Sequence, residues 1–375
     1  MSAIKEIIDI SKKKLLYLDE EIKRLSQKTL VLFGAGAMSN YVVNSIRSQG
    51  LNPVCFCDNN LKKVGTNISG IPVISFKELC DKHKSSNIYI TSTFYYNDIK
   101  KELLDNGFFE ENISGFDLVH FFPWEKDYIN CLVAHEKDFQ DLFSLLADDK
   151  SKEVLLKRLN FLISRERSYM TDIRTPNQYF EKGLINLSHE EIFIDLGAFD
   201  GDSIRSFILA CEGKYKKIYA LEPENENYNK LINCCKDYSN IAIFKAGAWN
   251  MDGSIPYSSI CDVSAITLAE DSLNFDNNCN DKIGLMDTRS VDSILKGQPA
   301  TFIKMDIVGV EKKALDGCKR TIQKYMPTLA VCVYHRATDI YTLPKYILEL
   351  CPKYKIYLRH YSDGVSETVC YAIAD

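Results

Sequence analysis

The sequence predicts an α/β protein with two units, each built on a mostly parallel sheet. Three observations carry that expectation. Short apolar strands alternate with helix-length amphipathic segments in two stretches, residues 28–118 and 191–375, an order that makes parallel strands joined by crossover helices. In each stretch the first strand runs into a glycine-containing turn that opens a helix, at Gly34-Ala35-Gly36 and at Gly197-Ala198-Phe199-Asp200-Gly201. Near residue 375 the alternation stops: strands at 354–360 and 368–373 are separated only by the polar residues 362–366, which suits an antiparallel last strand.

A chain of 375 residues exceeds the size one hydrophobic core usually serves. We divide it into an N-terminal helix (1–27), a first Rossmann-like α/β domain (28–118), a helical connector (119–185) and a second α/β domain (186–375). Lys and Arg number 46 against 51 Asp and Glu, a net charge of −5. That balance lacks the basic footprint of a nucleic-acid partner. No apolar run approaches the roughly 18–20 residues that span a bilayer, and residues 1–25 lack the apolar core and cleavage site of a signal peptide. A cytoplasmic protein without membrane insertion is expected. The 13 cysteines are scattered and form no Cys-x-x-Cys pair, so reduced thiols and no metal are expected.

Ile4, Ile7, Ile8, Ile10, Leu15, Leu16, Leu18, Ile22 and Leu25 recur at helical spacing. They predict an amphipathic helix that packs on the body or on a second subunit, which leaves a homodimer open.

In the first unit, residues 29–33 form a strand, 34–39 the turn, and 40–49 a helix stopped by Gly50. A second strand, 53–57, ends at Asp58; further strands are expected at 73–74 and 87–91, and helices at 77–84 and 97–106. Gly34 and Gly36 before a helix N-terminus permit close approach of a phosphate to backbone amides. Asp58, 22 residues beyond Gly36, stands where an acid can meet a ribose. Ser39 takes the place of the third glycine of the dinucleotide fingerprint, which weakens an NAD reading. Tyr96-x-x-x-Lys100 has the spacing of a short-chain dehydrogenase pair but lies too close to the turn. Three readings stay open: a nucleotide or nucleotide-sugar site, a unit without a ligand, or an NAD site. With Gly70-Ile71-Pro72-Val73-Ile74, the stretch resembles the nucleotide-sugar-binding domain of PglD-type sugar acetyltransferases.

Residues 119–190 lack strand signals and predict helices at 132–146 and 153–165, as a linker, a dimer surface or a cap. Beyond them, strands are expected at 192–196, 217–221, 241–246, 301–306, 328–334, 354–360 and 368–373, with a helix at 203–211. Asp195 ends the first of these strands and Glu222 follows the second. Ligands of open α/β sheets bind beyond such strand ends. Two carboxylates there suit a ligand with hydroxyls and a cation, as S-adenosylmethionine has, and repel a pyrophosphate. Asp200 and Asp202 add to that charge, although an Asp before a helix also caps its free amides.

Six pieces of this half, Asp195 to Asp202, Leu221-Glu222-Pro223-Glu224, Ala246-Gly247-Ala248-Trp249-Asn250, Ile303-Lys304-Met305-Asp306-Ile307, Tyr334-His335 and Arg359-His360-Tyr361, come in order at strand ends. They resemble the FkbM family of S-adenosylmethionine-dependent methyltransferases, over about 200 residues. The resemblance implies a class I methyltransferase sheet, S-adenosyl-L-methionine as methyl donor and a hydroxyl acceptor. Asp195, Gly197, Ala198, Asp200, Gly201 and Asp202 then line the donor's methionine side. Glu222 and Pro223 take its ribose, and Gly247, Ala248 and Trp249 edge its adenine. His335, Asp306 and His360 are the candidates for base or acceptor contact, and Asp306 with Glu311 for a divalent cation. One position departs from the family: Val308 stands where Asp-Ile-x-Gly usually carries glutamate. The expected activity is O-methylation of a sugar hydroxyl on a glycan, a polysaccharide precursor or a nucleotide sugar. The alternatives are a non-catalytic binding protein and an NAD-dependent oxidoreductase.

Overall fold

The computed structural model describes residues 2–36, 39–92, 95–115, 126–164, 166–259, 266–268 and 283–374. It divides into two compact units, one of Lys5–Glu136 and one of Met1–Ile4 with Lys137–Asp375. Among the described residues no helix is long and apolar enough to cross a membrane.

In the first unit α1 (Ser2–Ser26) leads into β1 (Leu30–Phe33), α2 (Ser39–Ser48), β2 (Pro53–Cys57), β3 (Asn67–Ile68), β4 (Ile71–Ile74), α3 (Phe76–Lys82), β5 (Asn87–Ile90), α4 (Tyr96–Asp105), β6 (Ile113–Gly115) and α5 (Lys126–Ala134). The strands form one sheet in the order β3-β4-β2-β1-β5-β6, parallel except where β3 meets β4. The apolar run of β1 has a simple cause. Leu30 and Leu32 enter one core layer with Leu25 and Val42, while Val31 and Phe33 enter the other with Leu79 and Leu103. Side chains alternate across a strand, so a strand covered on both faces needs apolar residues at every position.

The second unit runs α6 (Glu136–Leu145), α7 (Asp149–Ser164), α8 (Ser168–Thr171), β7 (Ile192–Leu196), α9 (Asp202–Ala210), β8 (Lys217–Leu221), α10 (Asn225–Cys235), β9 (Ile241–Phe244), β10 (Gly247–Ala248), β11 (Gly253–Ser259), β12 (Ile266–Leu268), β13 (Ile283–Arg289), α11 (Val291–Leu295), β14 (Phe302–Met305), α12 (Glu311–Gly317), α13 (Lys319–Tyr325), β15 (Thr328–Cys332), α14 (Asp339–Leu350), β16 (Tyr354–His360) and β17 (Thr368–Ala374). Its main sheet has the order β16-β17-β15-β14-β7-β8-β9. β17 is antiparallel to both its neighbours, and the other strands are parallel. The strand order reverses between β7 and β14, so the carboxyl ends of these two strands flank the crevice where ligands of such sheets bind. Phe180, Phe193, Phe207 and Phe302 form the centre of the core, with Phe193 and Phe207 stacked at 4.5 Å.

The structure departs from the expected elements in several places. The expected 132–146 helix is two helices, α5 and α6, and the unit division falls between residues 136 and 137. The connector does not form a body of its own, since α6, α7 and α8 belong to the second unit. A small sheet in the order β10-β13-β11-β12 fills a stretch where the sequence predicts no strands. Its β11 carries Pro256 and four serine or glycine residues, which hides the apolar alternation that marks a strand.

Candidate active site

The turn after β7 is held by the sheet itself. The amides of Gly197 and Ala198 both donate to the Leu221 carbonyl, at 3.1 and 3.0 Å. Gly197 has φ +82°, and a Cβ there would stand 2.0 Å from the Asp306 carbonyl oxygen. Gly201 has φ +90°, and its Cβ would meet Cys234 Sγ at 2.7 Å. Both glycines are therefore demanded by the protein's own packing.

The carboxylates of this segment have partners of their own. Asp195 is wholly buried and pairs with Lys304 Nζ at 3.0 Å, and Ser203 Oγ donates to it. Asp200 accepts from Arg205 at 3.2 Å and from the Asp202 amide at 3.1 Å. Asp202 is exposed in the first turn of α9, and its carboxylate accepts the Ser203 amide at 2.7 Å. Ala198 is buried in the core. The expectation that Asp195 and Asp200 present negative charge to a cationic donor is thus corrected, since Lys304 and Arg205 pair with them. Asp202 bonds within its own helix.

Glu222 differs. It lies 6% exposed just beyond β8. One oxygen accepts the Phe199 amide and the other the Glu224 amide, both at 2.9 Å. Each oxygen keeps lone-pair capacity beyond those bonds. Burial raises its pKa to about 7, against the lowering effect of the two amides. Glu222 lines an open cavity together with Gly197, Leu221, Pro223, Ala246, Gly247, Ala248, Trp249, Met286, Asp306, Ile307, Val308 and Val310. Of the expected donor residues, the structure brings Gly197, Glu222, Pro223, Gly247, Ala248 and Trp249 to this one cavity. Asp195, Ala198, Asp200, Gly201 and Asp202 are not among its lining residues. Met286 was not legible, because it comes from the unforeseen β13.

Asp306, just past β14, is the other acid of the cavity wall. Its Oδ1 accepts from Tyr334 Oη at 3.0 Å and lies 3.3 Å from His335 Nε2; its Oδ2 accepts from Tyr179 Oη at 3.1 Å. Burial pushes the carboxyl up, but the bond from His335 and the charge of Lys304 outweigh it and hold Asp306 well below the usual carboxylate range. On its other edge His335 meets Glu311, Nδ1 to Oε1 2.8 Å, and Glu311 is 1% exposed. Burial would neutralise the imidazole, yet Glu311 and Asp306 together raise it to about 10. His335 is therefore an imidazolium clamped between two carboxylates. A cation has no lone pair to take a proton, so the base role expected of His335 is corrected to one of holding Asp306 in place. The same geometry removes the Asp306–Glu311 cation pair, because the ring fills the space between them. Among the described residues no cluster of three or more His, Cys, Asp or Glu could hold a metal ion.

His360 is also corrected. β16 does run parallel to β15, but β17 separates them. The side chain is 0% exposed, with Nδ1 2.8 Å from Thr368 Oγ1. Burial, with Arg158 nearby, lowers its pKa to about 3, so it is a neutral core histidine that an acceptor does not reach.

Val308, the departing residue, forms an apolar part of the wall. It has φ +54° and Gly309 follows at +82°. A β-branched residue in the left-handed region is strained, and such strain gathers at ligand sites.

In the first unit Asp58 accepts the Ala35 amide at 2.7 Å, the Asn60 amide at 2.8 Å and Lys63 Nζ at 3.1 Å. A Cβ at Gly34 (φ +117°) would strike Thr91 Oγ1 at 2.5 Å, whereas one at Gly36 would meet nothing within 4 Å. Ser39 is buried and donates to the Gly36 carbonyl at 2.8 Å. Residues 37 and 38 of this turn lie outside the described residues. Lys100 pairs with Glu110 at 2.8 Å, and Tyr96 packs against the core. The Lys100 ammonium is thus taken up by Glu110.

The methyltransferase FkbM domain family matches residues 195–355, and the C2185-like N-terminal family matches residues 26–114, the stretch whose motifs resemble the PglD-type domain. No protein of curated function matches the chain. Among solved structures the chain is similar to methyltransferase FkbM from Methylobacillus flagellatus KT, at 24% identity over 98% of this chain and 100% of that one, with a TM-score of 0.73. An rRNA methylase from Streptococcus thermophilus shares 13% identity over 50% of this chain and 89% of its own, TM-score 0.33. Fibrillarin from Aeropyrum pernix, in complex with natively bound S-adenosyl-L-methionine, shares 15% over 51% and 71%, TM-score 0.31. The main sheet of the second unit has the class I methyltransferase arrangement.

Proposed function

We propose that this chain, an S-adenosylmethionine-dependent methyltransferase of the FkbM family, methylates a sugar hydroxyl of a glycan, a polysaccharide precursor or a nucleotide sugar. The observation that carries the reading is the pair of acids on one cavity wall. Glu222 and Asp306 are the carboxylates among its lining residues, and none of those residues is basic. Such a lining suits a donor with ribose hydroxyls and a positive charge, and an acceptor that is neutral and hydroxylated at the reacting end. The sugar itself is supported by the first unit, whose glycine turn and motifs resemble a nucleotide-sugar-binding domain.

The bound donor supplies an activated methyl group on a sulfonium. Glu222 binds the ribose through the lone pairs that its two amide bonds leave. Ala248 and Trp249 would flank the adenine, with the Trp249 ring offering an aromatic face. Asp306, fixed by Tyr179, Tyr334 and His335, accepts a hydrogen bond from the acceptor hydroxyl and so orients its oxygen lone pair toward the methyl carbon. Orientation is the main contribution asked of the protein. The hydroxyl proton leaves to solvent, because Asp306 is held too far below the usual carboxylate range to keep it.

Two measurements test the reading. In a thermal-shift panel S-adenosylmethionine and S-adenosylhomocysteine should raise the melting temperature, since a ligand at 100 times its Kd adds about 2.7 kcal/mol; NAD should not. A labelled-donor screen over nucleotide sugars and glycans should then give transfer that Asp306→Asn lowers in kcat. Labelling of proteins or nucleic acids, with none of sugars, would overturn the sugar assignment.

A further inference from the structure

β14 is apolar except for Lys304. Its neighbour β7 is apolar except for Asp195. The register of the two parallel strands sets these residues directly opposite each other. Lys304 is 3% exposed and Asp195 0%. A buried ion pair is a weak source of stability, because desolvating both charges offsets most of their attraction. Stability therefore does not explain why the two central strands carry it.

The other bonds of the ammonium point to its use. Lys304 Nζ donates to the Gly197 carbonyl at 2.6 Å, in the turn that forms the cavity floor. It also lies 5.5 Å from the centre of the Tyr179 ring. The Tyr179 hydroxyl in turn holds Asp306. One ammonium thus reaches Asp195, the carbonyl of Gly197 and the ring that supports Asp306. Gly197 is left-handed and pressed against the Asp306 backbone, so its carbonyl has little freedom once Lys304 binds it.

We propose that Lys304 is a positioning residue that fixes the donor turn from beneath the cavity, with Asp195 as the counter-ion that keeps it charged there. This rests on the donor site proposed above. Lys304 touches no ligand; it sets the direction of the Gly197 peptide, and through it the floor on which the donor lies. The role expected of Asp195 at the donor's methionine end becomes an indirect one.

The test uses the full chain and S-adenosylhomocysteine as probe, with calorimetry for affinity and thermal unfolding for stability. Removing Lys304 alone strands a buried carboxylate, so the informative variant is Lys304→Met with Asp195→Asn. It should keep the wild-type melting temperature within a few degrees yet bind the probe about tenfold more weakly or worse, the loss expected for a charged hydrogen bond. Wild-type affinity in a folded double variant overturns the inference. If that variant does not fold, Lys304→Gln with Asp195→Asn replaces it. This polar pair has an amide one bond too short to reach the Gly197 carbonyl, and it must show the same weakening. Failure of the wild-type chain to bind S-adenosylhomocysteine would remove the donor site itself, and this inference with it.

Discussion

The two units use one backbone device and charge it differently. In each, an acid just past the second strand accepts an amide from the turn after the first strand and another from the residue two positions on. Asp58 does so with Ala35 and Asn60, and Glu222 with Phe199 and Glu224. Asp58 also holds Lys63 at 3.1 Å, and these bonds keep its pKa below the usual value despite burial. Glu222 makes no ion pair among the described residues, and burial lifts its pKa to about 7. The lesson is that a shared fold does not transmit a shared site. The first acid is satisfied by its own turn. The second has unmet acceptor capacity and a cavity to direct it into.

Each turn begins with a left-handed glycine pressed on a neighbour, Gly34 on Thr91 and Gly197 on Asp306, and the sharpest break lies between Gly197 and Gly36. Gly197→Ala places a Cβ on the Asp306 carbonyl and forces a left-handed alanine; we expect a loss of about 3 kcal/mol or more, from backbone strain and overpacking together. Gly36→Ala meets open space and should change stability by less than about 0.5 kcal/mol. Denaturant unfolding of both variants checks this. Equal effects would mean that the two turns are built alike.

The acids come next. Glu222→Gln should weaken S-adenosylhomocysteine binding about a hundredfold, as loss of a charged acceptor to two hydroxyls implies, whereas Asp58→Asn should leave it unchanged. Calorimetry on both variants would show whether the two positions are independent.

A smaller effect concerns protons. Hydrogen bonds to a carboxylate favour its charged form, so donor binding should draw the Glu222 pKa down from about 7 and release a proton near neutrality. Affinity should fall as pH drops below that value. The apparent binding enthalpy should also vary with the ionisation heat of the buffer, and Glu222→Gln should abolish both effects. The same raised pKa costs stability. That cost is absent below the ordinary value of 4.5, where both states are protonated, and fully present above about 7.

The smallest difference expected is that of Lys63→Met. Its side chain is 38% exposed, so the variant should lose only about 0.2–1 kcal/mol. A larger loss would show that the first turn depends on this charge.

What was legible in the sequence follows from what is local. Glycine turns, the acids after strands and the antiparallel last pair depend on neighbours within a few residues, and the strands at 192–196, 217–221 and 354–360 have those bounds in the structure. Lys304 was quoted within its motif, but its partner was invisible. Asp195 lies more than a hundred residues earlier, and only the adjacency of β7 and β14 brings the two together. His335 was found at its strand end. Its protonation depends on Glu311 and Asp306 on either side, a three-body fact that spacing does not encode. His360 shows the converse: a strand end on the correct side of the sheet, yet wholly buried because β17 lies beside it.

The position of β17 has a consequence for how the molecule is made. Residues 368–374 enter the sheet between β15 and β16, pairing with each along its length. Without that strand β15 and β16 each present an open edge ready to pair with the other, in a parallel register the finished sheet does not use. The segment after β15 that carries Tyr334 and His335 therefore depends on a strand that comes later in the chain than every lining residue of the cavity, and a chain cut just short of residue 368 should keep the donor turn and lose the acceptor wall.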